Sequence, residues 1–165
     1  KNLIPTVYSV ADLMGKEVVV LPTESVLEGL ECVFEFTPEI TAARNFNTLS
    51  DVRHSMKVVT ICSSDRDINE GNLRASKGQP IAMRDGELFM VGNEGGELLA
   101  EAIIFAGGAD CDHITVLVGN EKDVSEVEST IEILNEAFAD FEDMEIEVHL
   151  GNQPYYDFLV AVVSV

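Results

Sequence analysis

The chain has 165 residues, of which 46% are hydrophobic and 24% are charged, and its formal net charge is −20. This composition is typical of a soluble globular protein rather than a disordered one, and the negative charge disfavours binding to nucleic acid or to an anionic membrane. The longest apolar stretches, such as Phe158–Val163, are far shorter than the roughly 18 residues of a membrane-spanning helix, so we expect no membrane insertion.

The first elements are predicted to be the remnant of an α/β subdomain with connecting helices, which we place at residues 1–55. Ser9–Met14 is typical of the end of a helix that Gly15 closes, because glycine readily adopts the left-handed conformation found there. The apolar run Glu17–Leu21 is bounded by Pro22, and this pattern predicts a buried strand.

Two helices are predicted to follow this strand. The first covers Val26–Phe34. The second is predicted to begin at Thr37-Pro38-Glu39 and to run to about Asp51. A hydroxyl can cap the start of a helix, proline suits its first turn, and an acid suits the positive end of the helix dipole.

From Met56 onward the apolar pattern changes, and residues 56–165 are predicted to form an α+β subdomain. Val58–Cys62 is typical of a strand. A hairpin is predicted from two apolar runs, Gln79–Arg84 and Glu87–Val91, because the Asp-Gly pair between them readily forms a tight turn.

The remaining elements alternate between helices and strands. In chain order they are predicted to be a helix over Leu98–Ala106, a strand over His113–Val118, a helix from Asp123, a strand over Met144–His149 and a last strand over Tyr156–Val163. The second of these helices has one apolar stripe, formed by Val124, Val127, Ile131, Leu134 and Phe138. This order predicts an α+β fold, in which two helices cover one face of a mixed or antiparallel sheet.

Charge is distributed unevenly along the chain. Residues 85–165 hold 19 acids and one base, Lys122, whereas residues 1–84 hold 11 acids and 9 bases. Such a field can steer a basic partner, and a solvated surface without a partner is the alternative that composition leaves open. The candidate partner contacts are the acids that crowd the last helix and its exit: Glu126, Glu128, Glu132, Glu136, Asp140, Glu142 and Asp143.

The sequence predicts no catalytic, cofactor-binding or metal site. The Asp65–Gly71 segment lacks the ligand spacing of a calcium-binding EF-hand, and no phosphate-binding glycine motif occurs. Cys32, Cys62 and Cys111 are odd in number and widely spaced. This usage is typical of small buried thiols in the cytoplasm, which is where we expect the protein to be.

Seven segments, taken in order, give the chain a resemblance to a known family. They are Val18-Val-Val-Leu-Pro-Thr23, Glu28-Gly29, Phe36-Thr-Pro-Glu39, Met56-Lys-Val-Val-Thr60, Asp67-Ile-Asn-Glu-Gly71, Lys77-Gly-Gln-Pro-Ile81 and Glu145-Ile-Glu-Val-His-Leu-Gly-Asn-Gln-Pro-Tyr-Tyr156. Over essentially its whole length the chain resembles the C-terminal domain of the bacterial fatty-acid kinase catalytic subunit. These proteins are also called dihydroxyacetone-kinase-like or DAK-phosphatase proteins.

The resemblance implies that this chain is the non-catalytic part of a larger kinase, which makes acyl phosphate for phospholipid synthesis. The parent protein would have a kinase domain that binds ATP and magnesium and a central domain that makes it a homodimer. The C-terminal domain of this family is related to DegV-like fatty-acid-binding proteins. It docks such a basic carrier on an acidic groove, so the resemblance implies a docking function and no cofactor in this chain.

The resemblance also implies that the ligand loop of the DegV-like carriers is vestigial here. Those carriers have a late His-x-Gly-Pro-Gly pattern, whereas this chain keeps His149 and Gly151 and continues with Asn152 and Gln153. The basic pair that the carriers have is missing near Val91–Asn93. We therefore expect a carrier-like shape that binds a fatty-acid carboxylate poorly.

Further expectations concern the end of the chain and the alternative functions. His149 is expected to have a structural role, and Tyr155 and Tyr156 are expected to be one core ring and one edge ring. A DegV-like lipid-binding module is the first alternative to docking. Part of a dihydroxyacetone-kinase-like enzyme is the second, although the sequence offers no residues for its chemistry.

Overall fold

The computed structural model describes residues 3–84, 86–119, 124–141 and 144–164. The chain divides into two compact units, unit 1 (residues 1–55) and unit 2 (residues 56–165). Unit 1 contains three helices, α1 (Ile4–Met14), α2 (Val26–Phe34) and α3 (Ala42–Ser55).

The first two helices lie where the sequence predicts them, and local capping explains their ends. Gly15 closes α1 in the left-handed conformation, with φ at 62°, and its N–H points at the carbonyls of the last turn. Ser25 caps α2, because its hydroxyl accepts a hydrogen bond from the Glu28 N–H at 3.0 Å. Each cap satisfies backbone groups that a helix end leaves without a partner.

The strand predicted over Glu17–Leu21 is wrong, because no strand occurs in this segment. A strand needs the backbone groups of a second strand, and the described residues of unit 1 include no other strand. The Val20 N–H instead donates to the hydroxyl of Tyr8 at 3.4 Å. The apolar run correctly indicates partial burial of Val18 and Val20, but burial alone does not make a strand.

The predicted start of the third helix is also wrong. Helix α3 begins at Ala42, after Thr41, whose hydroxyl accepts a hydrogen bond from the Arg44 N–H at 3.3 Å. The backbone of Thr37 is held by the buried amide of Asn45, which accepts from its N–H at 3.0 Å and donates to its carbonyl at 2.8 Å. This contact, between residues eight positions apart, holds the backbone at the start of the turn formed by residues 37–40.

Unit 2 has a six-stranded sheet and a separate two-stranded hairpin. The strands in chain order are β1 (Met56–Ser63), β2 (Ile68–Glu70), β3 (Leu73–Ala75), β4 (Pro80–Arg84), β5 (Glu87–Val91), β6 (His113–Val118), β7 (Glu145–Leu150) and β8 (Phe158–Val163). The order in the large sheet is β5-β4-β1-β8-β6-β7. Only β6 and β7 pair in parallel among these neighbours, so the predicted mixed sheet is confirmed.

The predicted β4–β5 hairpin is also confirmed. Arg84 lies opposite Glu87 in the register, and the ladder shifts between Ala82 and Met83. Gly86 has φ at 81°, as a tight turn requires. Its predicted partner in the turn, Asp85, lies outside the described residues.

Helices α4 (Gly95–Phe105) and α5 (Val124–Ala137) pack against one face of the large sheet and against each other. They enclose the main core, whose fully buried members include Val59, Ile61, Leu98, Leu99, Ile103, Ile114, Val116, Leu134 and Val160. The predicted α+β layer with helices on one face is therefore confirmed.

The apolar stripe predicted for α5 is correct in part. Leu134 and Phe138 are buried, but Ile131 is 39% exposed. The neighbouring residue Thr130 is buried instead. Its hydroxyl can be buried without losing a hydrogen bond, because it donates to the Glu126 carbonyl at 2.6 Å. The predicted N-cap Asp123 lies outside the described residues.

The second face of the large sheet is partly covered by the β2–β3 hairpin. Ala75 of this hairpin packs with Cys62 and Ile81 in a smaller buried cluster. Strand β8 lies in the middle of the sheet, and all six of its residues are buried. This central position explains why the end of so acidic a chain is an uncharged strand.

Candidate functional site

Several elements of unit 2 meet at one end of the large sheet, where the C-terminal ends of β6 and β7 lie beside the start of β8. Strand β7 ends and β8 begins at positions that both pair with Val118, the last residue of β6. Helix α4 begins at the same end, since a β-carbon on Gly95 would lie 3.7 Å from the ring of Phe158. The segment that joins β7 to β8, residues 151–157, is called the β7–β8 loop below. Ligands of layered α/β proteins often bind where strand ends and helix starts meet.

Backbone hydrogen bonds fix both ends of the β7–β8 loop. The Gly151 N–H donates to the Val118 carbonyl at 2.8 Å, and the Gly119 N–H donates to the Asp157 carbonyl at 2.8 Å. The Asp157 N–H donates to the Ile61 carbonyl, also at 2.8 Å. These hydrogen bonds therefore fix the loop to the ends of β1 and β6.

Two glycines make this attachment possible. A β-carbon on Gly119 would collide with the carbonyl oxygen of Tyr156, and one on Gly151 would collide with the side chains of Gln153 and Leu117. The obstacle at Gly119 is backbone, which cannot move without changing the loop. Glycine at these positions lets the loop cross closely over the end of β6.

The amide of Gln153 forms a further attachment of the loop. Its Nε2 donates to the Leu117 carbonyl at 2.9 Å. Its Oε1 is buried and has no hydrogen-bond partner within the described residues. The side chain thus fills the inner side of the loop that the sequence predicts to be a vestigial ligand site.

The outer side of the β7–β8 loop exposes both tyrosines. Tyr155 is 89% exposed and Tyr156 is 38% exposed, so the prediction of one core ring is wrong. Both rings lie on a loop whose backbone is held over the end of β6, outside the strands of the sheet. In this loop Asn152 and Tyr155 have φ at 55° and 71°, in the left-handed region, which is unusual for a residue with a large side chain.

The predicted candidate His149 lies outside the loop, on the exposed face of β7. Its Nε2 is 3.0 Å from Oε2 of Glu147, two residues earlier on the same face of the strand. The hydrogen bond from His149 lowers the pKa of Glu147; slight burial opposes this, and the charges of His149 and His113 reinforce it. His149 therefore has a side-chain partner in β7 and makes a local ion pair when it is protonated.

A second polar pair, His113 and Thr115 on β6, lies on the strand next to Glu147 and His149. The sequence analysis did not find this pair. His113 Nε2 is 2.7 Å from the hydroxyl of Thr115, and its Nδ1 is 4.0 Å from Oε2 of Glu145, its register partner on β7. His113, Glu145, Glu147 and His149 thus share the sheet face opposite α4 and α5. The alternation of polar residues along β6 and β7 predicts that the polar side chains of each strand share one face. It does not predict that these two strands pair with each other.

The acidic candidates on α5 form a row. Glu128, Glu132 and Glu136 are spaced four residues apart, which places them on one side of a helix. All three are exposed. Helix α5 contains no lysine, arginine or histidine, so its own sequence supplies no neutralising charge.

The other acidic candidates differ in their placement. Glu126 is half-buried in the first turn of α5, where its carbonyl accepts the Thr130 hydroxyl. Asp140 is exposed in the turn after the helix. Glu142 and Asp143 lie outside the described residues. Which of these acids contact a partner stays a prediction.

The three cysteines have the properties of structural thiols. Cys32, Cys62 and Cys111 are free and buried. Burial raises the pKa of each thiol, and nearby carboxylates raise it further, notably Asp157 and Asp65 for Cys62. A raised pKa keeps a thiol protonated and poorly nucleophilic. Within the described part of the chain, no group of three or more His, Cys, Asp or Glu side chains is arranged to bind a metal ion.

Apolar depressions occur on the surface of the described part of unit 1. One, of about 320 Å³, lies along α1 and is lined by residues that include Leu3, Val7, Val10 and Lys16. Another, of about 300 Å³, lies between α2 and α3 and includes Phe36. Of the helices that the structure describes, none is both long and apolar enough to cross a membrane.

Comparison with known proteins gives a family match over nearly the whole chain. The FakA-like C-terminal family, which is the C-terminal part of fatty acid kinase A-like proteins, matches residues 1–163. Protein YloV of Bacillus subtilis (strain 168) is 25% identical over 162 residues, which are 97% of this chain and 28% of that protein. An uncharacterised protein of Staphylococcus aureus (strain USA300) is 22% identical over 162 residues, 98% of this chain and 29% of that protein. The chain spans less than a third of the length of these relatives.

Solved structures with a similar fold include proteins that bind fatty acids. The fatty acid kinase B3 protein of Streptococcus pneumoniae, loaded with linoleic acid, matches with a TM-score of 0.67 at 13% identity, over 98% of this chain and 65% of that one. A fatty-acid-binding DegV family protein of Thermus thermophilus matches with a TM-score of 0.58 at 14% identity, over 96% of this chain and 65% of that one. At these identities the likeness concerns the fold alone, which is DegV-like.

Proposed function

Because the chain belongs to the FakA-like C-terminal family of fatty acid kinases, we propose that it is a non-catalytic docking module of a cytoplasmic fatty-acid kinase. Its partner is a DegV-like fatty-acid-binding protein with a basic surface, which it binds through the acidic row of α5. The parent kinase binds ATP and magnesium and forms acyl phosphate with residues outside this chain. The parent is a homodimer through a domain that is also outside it.

The observation that carries this proposal is the row Glu128, Glu132 and Glu136. The three carboxylates are exposed on one side of α5, and the helix contains no base. Like charges four residues apart destabilise a helix by about 0.2–0.5 kcal/mol per pair. Glu136 also lies near the negative end of the helix dipole, where an acid is unfavourable. A partner that brings positive charge to this row relieves both costs.

The distribution of charge supports the same conclusion. Residues 85–165 hold 19 acids and one base, and α5 belongs to this half. A strongly negative surface accelerates the approach of a basic protein and repels acidic ones. A surface charge of this kind also repels the carboxylate of a free fatty acid, which favours docking over direct binding of the lipid.

The proposal is tested by measuring binding between this chain and the DegV-like fatty-acid-binding proteins of its source organism, by sedimentation velocity. We expect a complex at about 50 mM salt that weakens strongly at about 300 mM salt, because salt screens exposed charges. The triple variant Glu128→Gln, Glu132→Gln, Glu136→Gln is expected to weaken the complex at least about tenfold and to reduce its dependence on salt.

A matched control variant distinguishes binding through the acidic row from a general effect of net charge. The triple variant Glu17→Gln, Glu35→Gln, Glu39→Gln changes the same number of exposed carboxylates in unit 1. It is expected to bind within about twofold of the unmodified chain, since these acids lie outside the row. The absence of any complex at low salt would contradict the docking function, and equal losses in both variants would contradict the role of α5.

A second candidate function, binding of an acyl chain by this module itself, is favoured by one observation. The depression along α1 has a volume of about 320 Å³, and its surface is almost entirely apolar. A cavity of this size and character can bind a small apolar ligand. Native mass spectrometry of the purified chain distinguishes the two functions, because only a lipid-binding module carries an added mass that matches a fatty acid.

A further inference from the structure

The side chain of Tyr155 has a combination of properties that packing within the chain does not explain. It is 89% exposed, and its φ is 71°. A large L-residue adopts the left-handed conformation at a conformational cost, which is usually offset by burial or by a functional contact. Burial does not offset it here, because almost the whole ring is in solvent.

The β7–β8 loop holds the backbone that carries this ring. The loop is fixed by the hydrogen bonds of Gly151 and Asp157 to the ends of β6 and β1, and by the Gln153 amide. Because the loop is held at several points, little backbone freedom remains to be lost when another molecule covers the ring. Exposed aromatic residues on such preorganised segments are typical anchors of protein interfaces.

The surroundings of the loop indicate the chemistry of the molecule that covers it. Asp157 ends the loop. Asp157 and Asp65 both lie near enough to Cys62 for their charges to raise the pKa of that thiol. Helix α5, with its row Glu128, Glu132 and Glu136, packs on β7, the strand that leads into the loop. A basic partner brings guanidinium or ammonium groups, and such a group can stack on an aromatic ring while it pairs with an acid.

We infer that Tyr155 is a contact residue of the docking surface, where its ring packs against an arginine or lysine side chain of the basic partner. This inference rests on the proposed docking function and adds a non-electrostatic anchor to it. It predicts that the complex retains an attraction at high salt that the acidic row cannot supply, because a ring contact is screened less than an exposed ion pair.

The test uses the same sedimentation assay with four single variants of the full chain. Tyr155→Ala and Tyr155→Gly are both expected to weaken the complex about tenfold. Tyr155→Phe keeps the ring and is expected to stay within about twofold. Phe34→Ala removes another exposed aromatic ring, which is 70% exposed on α2, and it is expected to have no effect.

The glycine variant separates the ring from the shape of the loop. Glycine adopts a positive φ without strain, so Tyr155→Gly keeps the fold even if Tyr155→Ala does not. Unchanged melting temperatures together with a tenfold loss of affinity support the contact. If Tyr155→Gly binds like the unmodified chain while that chain forms the complex, the inference is overturned and docking through α5 stands. If the unmodified chain forms no complex, the docking function itself fails and the inference fails with it.

Discussion

Unit 1 and unit 2 bury their apolar side chains to very different extents. In unit 2 the sheet has helices on one face and a hairpin on part of the other, and its core residues are almost completely inaccessible. In the described residues of unit 1, the buried apolar side chains are Ala11, Leu27 and Cys32. Large apolar side chains there are exposed, such as Leu13 at 88% and Phe34 at 70%.

A similar apolar content therefore does not produce a similar core. Helices bury one stripe each and need a second layer to cover it, and a sheet provides such a layer over its whole width. Unit 2 has this layer, whereas the described part of unit 1 has helices and no strand. We therefore expect the stability of the chain to depend mainly on unit 2.

The largest expected effect comes from truncating one leucine in each unit. Leu99 is fully buried in the core of unit 2 and Leu13 is exposed on α1. Leu99→Ala is expected to lower the free energy of unfolding by about 2–5 kcal/mol, because it removes buried methyl groups and leaves a cavity. Leu13→Ala is expected to change it by less than about 0.5 kcal/mol.

Urea denaturation followed by circular dichroism measures both values. The variants are matched in chemistry, so they differ only in the environment of the side chain. A loss of stability from Leu13→Ala as large as that from Leu99→Ala would contradict the comparison, since it would mean that α1 is buried in solution.

A smaller effect of opposite sign in the two units is expected from glycine substitutions. Gly119→Ala forces a β-carbon against the Tyr156 carbonyl in unit 2, and overpacking of this kind costs about 1–3 kcal/mol. Gly29→Ala in α2 of unit 1 meets no atom within 4 Å and is expected to stabilise the chain by about 0.5–1 kcal/mol, because alanine favours a helix interior.

The same urea series tests this pair of variants. Gly119→Ala also serves as a probe of the β7–β8 loop, since the loop must move to accept it. An unchanged free energy of unfolding for Gly119→Ala would show that the loop is not held against the end of β6, and this would remove the rigid presentation of Tyr155.

Most of unit 2 could be predicted from the sequence, because its signals are local. The apolar, β-branched run Val58–Cys62 and the Asp-Gly turn before Glu87 need no information about distant residues. The errors in unit 1 have non-local causes. Glu17–Leu21 has the composition of a strand, but the described part of unit 1 offers no partner strand. The backbone of Thr37 is bound by Asn45, and Thr37 does not begin a helix.

The candidate site was predictable to a smaller degree. The spacing of Glu128, Glu132 and Glu136 places them on one side of a helix, and they are exposed as this spacing predicts. The exposed Tyr155 has a positive φ, a conformation that local sequence rarely reveals for a large residue. The facing of His113 and Glu145 depends on which strands pair, and no local pattern gives this.

The smallest expected effect is an acid-range pH dependence of stability that the Glu147–His149 pair gives unit 2. The hydrogen bond from His149 holds the pKa of Glu147 below its ordinary value of 4.5. An acid whose pKa is lower in the folded state stabilises the fold above its unfolded pKa, and this contribution is lost as the pH falls through the folded pKa. Because the two side chains are 46% and 58% exposed, solvent screening limits the contribution to less than about 1 kcal/mol.

Urea denaturation below and above pH 4.5 measures this contribution in the unmodified chain and in Glu147→Gln, with Glu39→Gln as a control of equal charge in unit 1. Glu147→Gln is expected to flatten part of the acid limb of the stability curve, because glutamine cannot titrate. Glu39 is exposed in a turn of unit 1, and its variant is expected to follow the unmodified chain. If both variants flatten the curve equally, the acid sensitivity belongs to net charge rather than to the Glu147–His149 pair. The difference between the units would then concern packing only.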